Sequence, residues 1–390
     1  MIQIQEINDW NDLDALRLPW SLLLADTRGA SFFHTWDWLR TYAQHYGQAN
    51  EPRILVARHE RDIIGILPLV LKSERNRLGT FKTLTYPLDD WGNFYSPIGR
   101  DQTVILHAGM QHIASMRRDF DVINLHWVPS RRFDRGRTPR AMQAAGFQAN
   151  ERKDAPSAVV ELQATWEDYW ASRSSKWRNN VRRNERKLAE AGEVAYVHYR
   201  PRGAASGDAD PRWDLYDACE HIAQASWQGN SQTGTTISHT EVRAFLRDMH
   251  STAVDAGGLD LHLLYLNGCP AAFAYNYHYR GMVTGLRTGF DANVSRDGTG
   301  TTLICRSIRT AYQHGDHTLD LGADFLHCKR NWITSRIFAY SYSHYPLFAP
   351  RSQLARLKRL WEARRQRKHN TPTAHRVLDN TIDARARELV

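Results

Sequence analysis

The hydrophobic pattern in the first half of the chain predicts a helix, a hairpin and a strand. Residues 31–47 carry rings and aliphatic side chains at helical spacing, with Ser31 or Thr35 as the N-cap. Residues 52–72 (PRILVARHERDIIGILPLVLK) form two apolar runs around the polar turn HERD, which is typical of a β-hairpin. Residues 119–128 (DFDVINLHWV) then predict a β-branched strand.

The second half of the chain repeats this order. The predicted elements are a helix, a hairpin, a strand, a second helix and a last strand. They are residues 215–227, 259–279, 281–290, 301–314 and 317–324. The hairpin turns at Asn267-Gly268, a pair that favours tight β-turns. Because a hairpin and a later strand occur twice, the pattern predicts an internal structural repeat.

Two copies of one α/β unit would account for a chain of 390 residues, which is long for a single small domain. We predict one α/β (α+β) domain over 1–160 and a second over 161–350. A basic helical tail would follow over 351–390. Each domain is expected to be a mixed, mostly antiparallel sheet flanked by helices, with a cleft between the two domains.

Composition narrows the class of partner and the compartment. The net charge of +9 favours anionic partners. The four cysteines form no CxxC pair, so neither a disulfide framework nor a metal site is predicted. The chain has no basic, apolar leader and no apolar run of about eighteen residues. These features predict a cytoplasmic protein.

Two basic segments stand out. Residues 172–187 carry seven basic side chains and one acid, and Arg178, Arg182 and Arg186 share a helical face. Residues 351–369 carry eight bases and one acid, with leucines and Trp361 on one side, which predicts a basic amphipathic helix. The first segment is assigned to an anionic ligand; which anion stays open.

A Gly- and Thr-rich loop before the helix at 301–314 could hold a pyrophosphate. Its candidate binding residues are Arg296, Gly298, Thr299, Gly300, Thr301 and Thr302. Glycines let backbone amides converge, and a helix N-terminus adds free N–H groups and a positive dipole end. An ordinary strand-to-helix turn with a threonine cap is the alternative interpretation.

The stretch LDLGADFLHCKRNW (319–332) is the second candidate for chemistry. Asp324 follows a predicted strand, where a carboxylate could accept a proton, and Lys329 could stabilise negative charge. Asp324 could equally cap the next helix, and Lys329 could be a solvated surface charge.

These segments resemble a known family. The stretches SSKWRNNVRRNERKLAEAG, ASWQGN, TGFDANVSRDGTGTTLI and LDLGADFLHCKRNW occur in the order seen in CelD-type acetyltransferases of the GNAT superfamily. That family is associated with cellulose and exopolysaccharide biosynthesis. The chain is similar, more distantly, to Fem-type transferases. The resemblance covers most of the chain and is strongest from about 165 to 345.

The resemblance implies tandem GNAT-like domains and a transferase that uses acetyl-CoA or another acyl-CoA. The loop at 296–302 would hold the pyrophosphate, and an amine acceptor would attack the thioester directly. Asp324 and Lys329 would be catalytic residues. The implied substrate-binding residues are Arg178, Arg182, Trp227, Arg287 and Trp332.

The chain departs from the family at Cys328, which stands where the family has a tyrosine before the lysine. Tyr312 or water would then have to protonate the leaving thiolate. We expect Cys328 itself to be buried as a small packing residue.

Two other functions stay open. In a Fem-like enzyme the donor would be aminoacyl-tRNA, which the basic surfaces would suit. In a non-catalytic accessory protein of polysaccharide biosynthesis, the basic tail would dock on an anionic membrane surface.

Overall fold

The described part of the chain forms twelve β-strands in one continuous sheet. The computed structural model describes residues 2–76, 79–89, 91–129, 133–230, 236–323 and 326–369. The strands are β1 (Ile2–Ile7), β2 (Asn50–His59), β3 (Asp62–Asn76), β4 (Gly79–Thr85), β5 (Val122–Pro129), β6 (Asn150–Glu161), β7 (Val194–Tyr199), β8 (Leu259–Leu266), β9 (Cys269–Tyr279), β10 (Met282–Phe290), β11 (Thr318–Asp320) and β12 (Ser335–His344).

Helices flank this sheet within the described ranges. They are α1 (Arg17–Ala25), α2 (Trp36–Tyr46), α3 (Gln102–Ser115), α4 (Arg137–Ala144), α5 (Trp166–Ser172), α6 (Ser175–Ala191), α7 (Trp213–Ala225), α8 (Thr240–Asp255), α9 (Thr299–Gln313), α10 (Leu326–Lys329) and α11 (Pro350–His369). The predicted α/β class, with a mostly antiparallel sheet between helices, is confirmed. Among the described strands, only β4–β5 and β10–β11 are parallel pairs.

The strand order repeats one unit on the two sides of the sheet. The order is β1-β2-β3-β4-β5-β12-β6-β11-β10-β9-β8-β7. Each half has a first strand, a two-stranded hairpin and a fourth strand. A helix then leads to a fifth strand that is parallel to the fourth. The predicted repeat of hairpin and strand is therefore present, with β2, β3 and β5 matching β8, β9 and β11.

The two halves exchange their last strands at the centre of the sheet. Strand β6, from the first half of the sequence, pairs with β11 and β12. Strand β12, from the end of the second half, pairs with β5 and β6. Both exchanged strands therefore tie the two halves into one sheet.

Local signals in the sequence place several element ends correctly. The Thr35 side chain caps α2 by accepting a hydrogen bond from the Trp38 N–H at 3.1 Å. The β8–β9 hairpin turns at Asn267 and Gly268, both with positive φ, as their tight turn requires. Strand β11 is shorter than the strand predicted over 317–324. It ends at Asp320, where the chain stops pairing with β10.

Helices α2 and α8 join the two halves on one face of the sheet. The Trp38 and Phe245 rings lie 5.9 Å apart, and the Thr41 and Thr252 hydroxyls are 2.8 Å apart. His45 Nε2 lies 2.8 Å from the Asp248 carboxylate. This shared core fixes the second half of the sheet relative to the first.

Candidate functional site

Helix α9 begins after a glycine whose left-handed backbone conformation other residues rarely adopt. Gly298 precedes the helix with a φ of +89°, and a Cβ added there would lie 2.4 Å from the Asn184 Cβ. Gly300 is the second residue of α9. It faces open space, with no atom within 4 Å of an added Cβ. The first N–H groups of a helix have no partner within it, so this end can accept an anion.

The threonines of the loop serve different purposes. The Thr299 hydroxyl donates to the Arg296 carbonyl at 2.7 Å and accepts from the Arg296 N–H at 3.0 Å. Thr299 therefore closes the turn. Thr301 is half-buried at the start of the helix. The Thr302 hydroxyl is buried and has no hydrogen-bond partner among the described residues.

The Arg296 side chain folds back onto its own loop. Its Nη1 lies 3.0–3.4 Å from the carbonyls of residues 293–295. The guanidinium thus organises the turn that presents the α9 N-terminus. A phosphate contact of Arg296 stays a prediction.

Helix α6 packs directly beside this loop. Its buried residues, Val181, Asn184 and Leu188, recur at helical spacing and face α9. Asn184 is 0% exposed, and neither atom of its side-chain amide has a partner among the described residues. An unpaired buried amide is costly, and this one lies next to Gly298. In the sequence, Asn184 is recognisable as a single polar residue within the apolar stripe of α6.

The basic residues of α6 do not converge on one point. Arg178 donates to the carbonyls of Trp170 and Ala171, at 3.4 and 2.7 Å, and so caps the end of α5. Arg182 is exposed and contacts the Asn179 side chain at 3.4 Å. The Lys187 Nζ lies 4.0 Å from the Asp297 carboxylate of the loop. The predicted roles of Arg178 and Arg182 in binding substrate stay predictions.

Strands β10 and β11 separate near the start of α9. They pair only from Met282 to Thr284, opposite Thr318–Asp320. A β-bulge follows between Gly285 and Arg287, and the rest of β10 continues beyond the end of β11. Beyond Asp320, the N–H of Leu321 bonds to β6. Since β10 and β11 are parallel, this opening and the α9 N-terminus lie at the same end of the sheet.

Asp320 closes the bottom of this opening. Its side chain is 0% exposed, and its Oδ1 accepts the Gly322 N–H at 2.8 Å. The buried Ser157 hydroxyl lies beside this carboxylate and favours its ionised form. Burial raises the pKa of Asp320 to about 6, while the Gly322 N–H and the Lys329 ammonium act in the opposite direction.

Lys329 is held beside Asp320 rather than in solvent. It is 9% exposed, and its Nζ donates to the Gly322 carbonyl at 3.3 Å. Trp332, 1% exposed, packs against Trp177 with ring centroids 5.2 Å apart and anchors the segment after α10. The surface interpretation of Lys329 is therefore wrong, and Trp332 is a core residue.

The other predicted residues lie around this opening or outside the described residues. The Arg287 Cζ lies 5.0 Å from the centroid of the Trp91 ring. This contact joins the β10 bulge to the first half of the chain. Trp227 lies in a short helical turn, but its side chain is not described. Asp324 lies outside the described residues. The sequence pattern missed Asp320 because β11 itself was expected to run on to residue 324.

The expectation of a buried Cys328 is wrong. Cys328 is exposed, and its sulfur lies 3.1 Å from His327 Nε2. Its position on the four-residue helix α10 turns it away from the core that Trp332 enters. Tyr312, the alternative proton donor, has its hydroxyl 3.4 Å from the Gln163 carbonyl.

One cluster has the composition of a metal site but already contains a cation. Ligand atoms of His198, Asp260 and His262 lie within 4.8 Å of one another. Arg200 Nε lies 2.9 Å from the Asp260 carboxylate. Burial alone would raise the pKa of Asp260, but the two histidines and Arg200 hold it well below its usual range. The cluster is thus a buried ion network that joins β7 to β8.

Comparisons with known proteins find solved structures of the same fold. The chain resembles the crystal structure of FemX, with a TM-score of 0.59 at 11% identity over 90% of this chain and 99% of that one. It also resembles a protein of unknown function from Bacteroides thetaiotaomicron (TM-score 0.53, 11% identity, 88% and 100% covered). The third match is L-PGS from Bacillus licheniformis (TM-score 0.50, 13% identity, 87% and 93% covered). At these identities the similarity establishes the fold alone.

No curated protein matches the chain. Among the described helices, none has the length and apolar character that crossing a bilayer requires. Residues 175–330 match the family model described as an acetyltransferase (GNAT) domain. This region contains α6, the α9 N-terminus, the β10–β11 opening and Lys329. Over residues 175–330 the chain is therefore similar to an acetyltransferase (GNAT) domain.

Proposed function

We propose that the protein is a CelD-type N-acyltransferase that moves an acyl group from acetyl-CoA, or another acyl thioester, to an amine. The observation that carries the proposal is the position of the α9 N-terminus. It opens at the end of the sheet where β10 and β11 separate. A thioester lying in that opening would place its pyrophosphate at the helix and its acyl group at the bulge.

The donor would be held mainly by backbone groups. The N–H groups of Gly300 and Thr301 would bind the pyrophosphate, with the helix dipole adding a favourable positive end. Asn184 would donate its unpaired amide to the same anion or hold the loop against α6. The side chain of Thr302 would offer a hydroxyl from the next turn.

The chemistry would be direct attack by the acceptor. The amine nitrogen forms a bond to the thioester carbonyl carbon, and the amine proton passes to a carboxylate. The carbon–sulfur bond breaks, and the leaving thiolate takes a proton from water or Tyr312. Asp320 suits this role because its pKa of about 6 lets it be ionised yet basic near neutral pH. Asp324 remains a second candidate base. Lys329 would stabilise the negative charge that develops on the carbonyl oxygen.

Titration calorimetry with acetyl-CoA and longer acyl-CoAs tests the donor site. Gly300→Val would fill the open space in front of α9 without meeting any described atom at its Cβ. We expect it to weaken acetyl-CoA binding by roughly tenfold or more, because it blocks charge-assisted hydrogen bonds. Arg309→Gln, on an exposed position of the same helix, is the control and should bind normally.

Failure of the intact protein to bind any acyl-CoA would contradict the proposal. The next probe would then be aminoacyl-tRNA, which the exposed bases Arg182, Arg183 and Arg186 on α6 favour. Binding to tRNA should weaken steeply with salt, because phosphate contacts release counterions. If neither donor binds, the non-catalytic accessory role in polysaccharide biosynthesis becomes the better account.

A further inference from the structure

A cavity lies on the other side of the sheet's strand order from the β10–β11 opening, among β3, β4, β5, β6 and β12. It has a volume of about 620 Å³ and lies between α11 and the sheet. Strands β3, β4, β5, β6 and β12 form its floor, and α11 forms its roof. This volume lies within the usual range for small-molecule sites.

The roof of the cavity is basic. Arg351, Ala355 and Arg359 recur at a spacing of four residues, so they share one face of α11, and all three line the cavity. Lys358 lines it from the neighbouring row. Helical rise places the two arginines roughly 12 Å apart along the axis, so both can contact one extended ligand.

Neutral oxygen atoms hold the Arg359 guanidinium in place. Its Nη1 lies 2.7 Å from the Ser343 hydroxyl, 2.8 Å from the Tyr345 hydroxyl and 3.5 Å from Asn124 Oδ1. Arg351 donates to the Thr80 carbonyl at 3.3 Å. No carboxylate of the described residues lies within ion-pair distance of either arginine. Their positive charge is therefore fixed in position but not matched by an acid there.

The acids that line the cavity lie beside bases on its floor, and Glu74 and Asp89 share one of these bases, Lys72. Asp89 is paired with Lys72 and accepts the Tyr42 hydroxyl at 2.9 Å. Asp154 lies 3.0 Å from Arg152 and accepts the Ser341 hydroxyl at 2.7 Å. Arg351 and Arg359 on α11 thus bring positive charge to the cavity that none of these acids pairs with.

We propose that this cavity binds a phosphate-bearing ligand, with Arg351 and Arg359 as its phosphate contacts. Arginine presents two parallel N–H donors to a phosphate, which suits this chemistry better than a lysine would. Thr83, Thr85 and Asn124 on the floor offer neutral polar groups for the rest of the ligand. The proposal is independent of the acyltransferase proposal, because it uses neither α9 nor Asp320.

The phosphate could come from a soluble molecule or from a lipid headgroup. Three apolar side chains of α11, Leu357, Leu360 and Trp361, are 52–62% exposed, and Phe348, just before the helix, is 97% exposed. An exposed apolar surface beside bases is typical of helices that bind anionic membranes. The chemistry of the phosphate is the same in both cases, so the experiment separates the two sources.

Calorimetric titration with inorganic pyrophosphate tests the soluble source, in a full chain that carries Gly300→Val so that the α9 N-terminus does not bind the same probe. Sedimentation with vesicles containing phosphatidylglycerol tests the lipid source. Arg351→Gln and Arg359→Gln should each weaken binding of whichever probe binds by roughly tenfold. Arg356→Gln removes the same charge from α11 at a position that does not line the cavity and should leave binding nearly unchanged.

Arg359 also supports the fold through its neutral partners, so Arg351→Gln is the decisive variant, with its melting temperature measured alongside. Binding of pyrophosphate that both variants lose supports a soluble ligand. Binding of vesicles alone that both variants lose supports a lipid headgroup in the cavity. Binding of neither probe would overturn the proposal. So would vesicle binding that survives both variants and is lost in Trp361→Ser, because α11 would then dock through its outer surface.

Discussion

Asp320 carries the clearest chemical consequence of burial in this molecule. Its carboxyl group lies at the end of β11, beside the Lys329 ammonium and below the β10 bulge. The sequence pointed to this strand end through Asp324, which lies outside the described residues. It did not single out Asp320, because the length of β11 depends on its pairing with β6. Burial, which sets the pKa, cannot be read from spacing.

Asp320→Asn tests this residue with two measurements that should move in opposite directions. In the wild type, acyl-transfer activity should rise as the pH rises through about 6, because the base must lose its proton. The variant should lose this rise along with most of its activity. At pH 8 it should be more stable, by on the order of 3 kcal/mol, because it no longer holds a buried carboxylate ionised.

The sign of the stability effect follows from the raised pKa. The folded state holds the Asp320 proton more tightly than the unfolded state does, so the stabilising contribution is complete below about pH 4 and is lost as the pH rises to about 6. Urea unfolding at pH 4 and pH 8 measures it. An unchanged pH–activity profile in Asp320→Asn would assign the base elsewhere, with Asp324 as the next candidate.

At the scale of elements, the α9 N-terminus was the part of the site best predicted from the sequence. The glycines and threonines of the loop place the helix start within two residues of its observed position at Thr299. The role of α6 was not predictable in the same way. The many bases of α6 predicted a role for its exposed face, whereas Asn184 on its buried face contacts the loop.

Gly298 and Gly300 should respond oppositely to the same substitution. Gly298→Ala introduces a Cβ at positive φ and 2.4 Å from the Asn184 Cβ, so we expect a loss of roughly 1–3 kcal/mol in unfolding free energy. Gly300→Ala meets no atom within 4 Å and should be neutral or stabilising by up to roughly 1 kcal/mol. Thermal unfolding of both variants decides; equal losses would mean that the loop is not held against α6.

At the scale of the whole molecule, the exchanged strands make the two halves interdependent. The sequence predicted the repeat, because each copy has its own hairpin and later strand. It could not predict that β6 and β12 change places, since an antiparallel strand has the same apolar pattern beside either neighbour. The exchange is visible only from long-range pairing, such as Ala339 with Pro129 and Leu319 with Val160.

A chain shortened to end at Thr334 should fail to fold, because β5 and β6 would lose the strand between them. A chain ending at Ala349 keeps β12 and lacks α11 and the residues after it, so it should fold. Circular dichroism and tryptophan fluorescence during urea unfolding measure both outcomes. Coincident single transitions are expected for the full chain. Independent folding of the shorter chain would show that the exchanged strand is dispensable.

The titration of acetyl-CoA into the intact protein and into Gly300→Val tests the central claim most directly, since the open α9 N-terminus carries the proposed function. The account expects binding by the intact protein, a loss of roughly tenfold or more in the variant, and equal melting temperatures for the two. Equal binding by both proteins, or no binding by the intact protein, would contradict it.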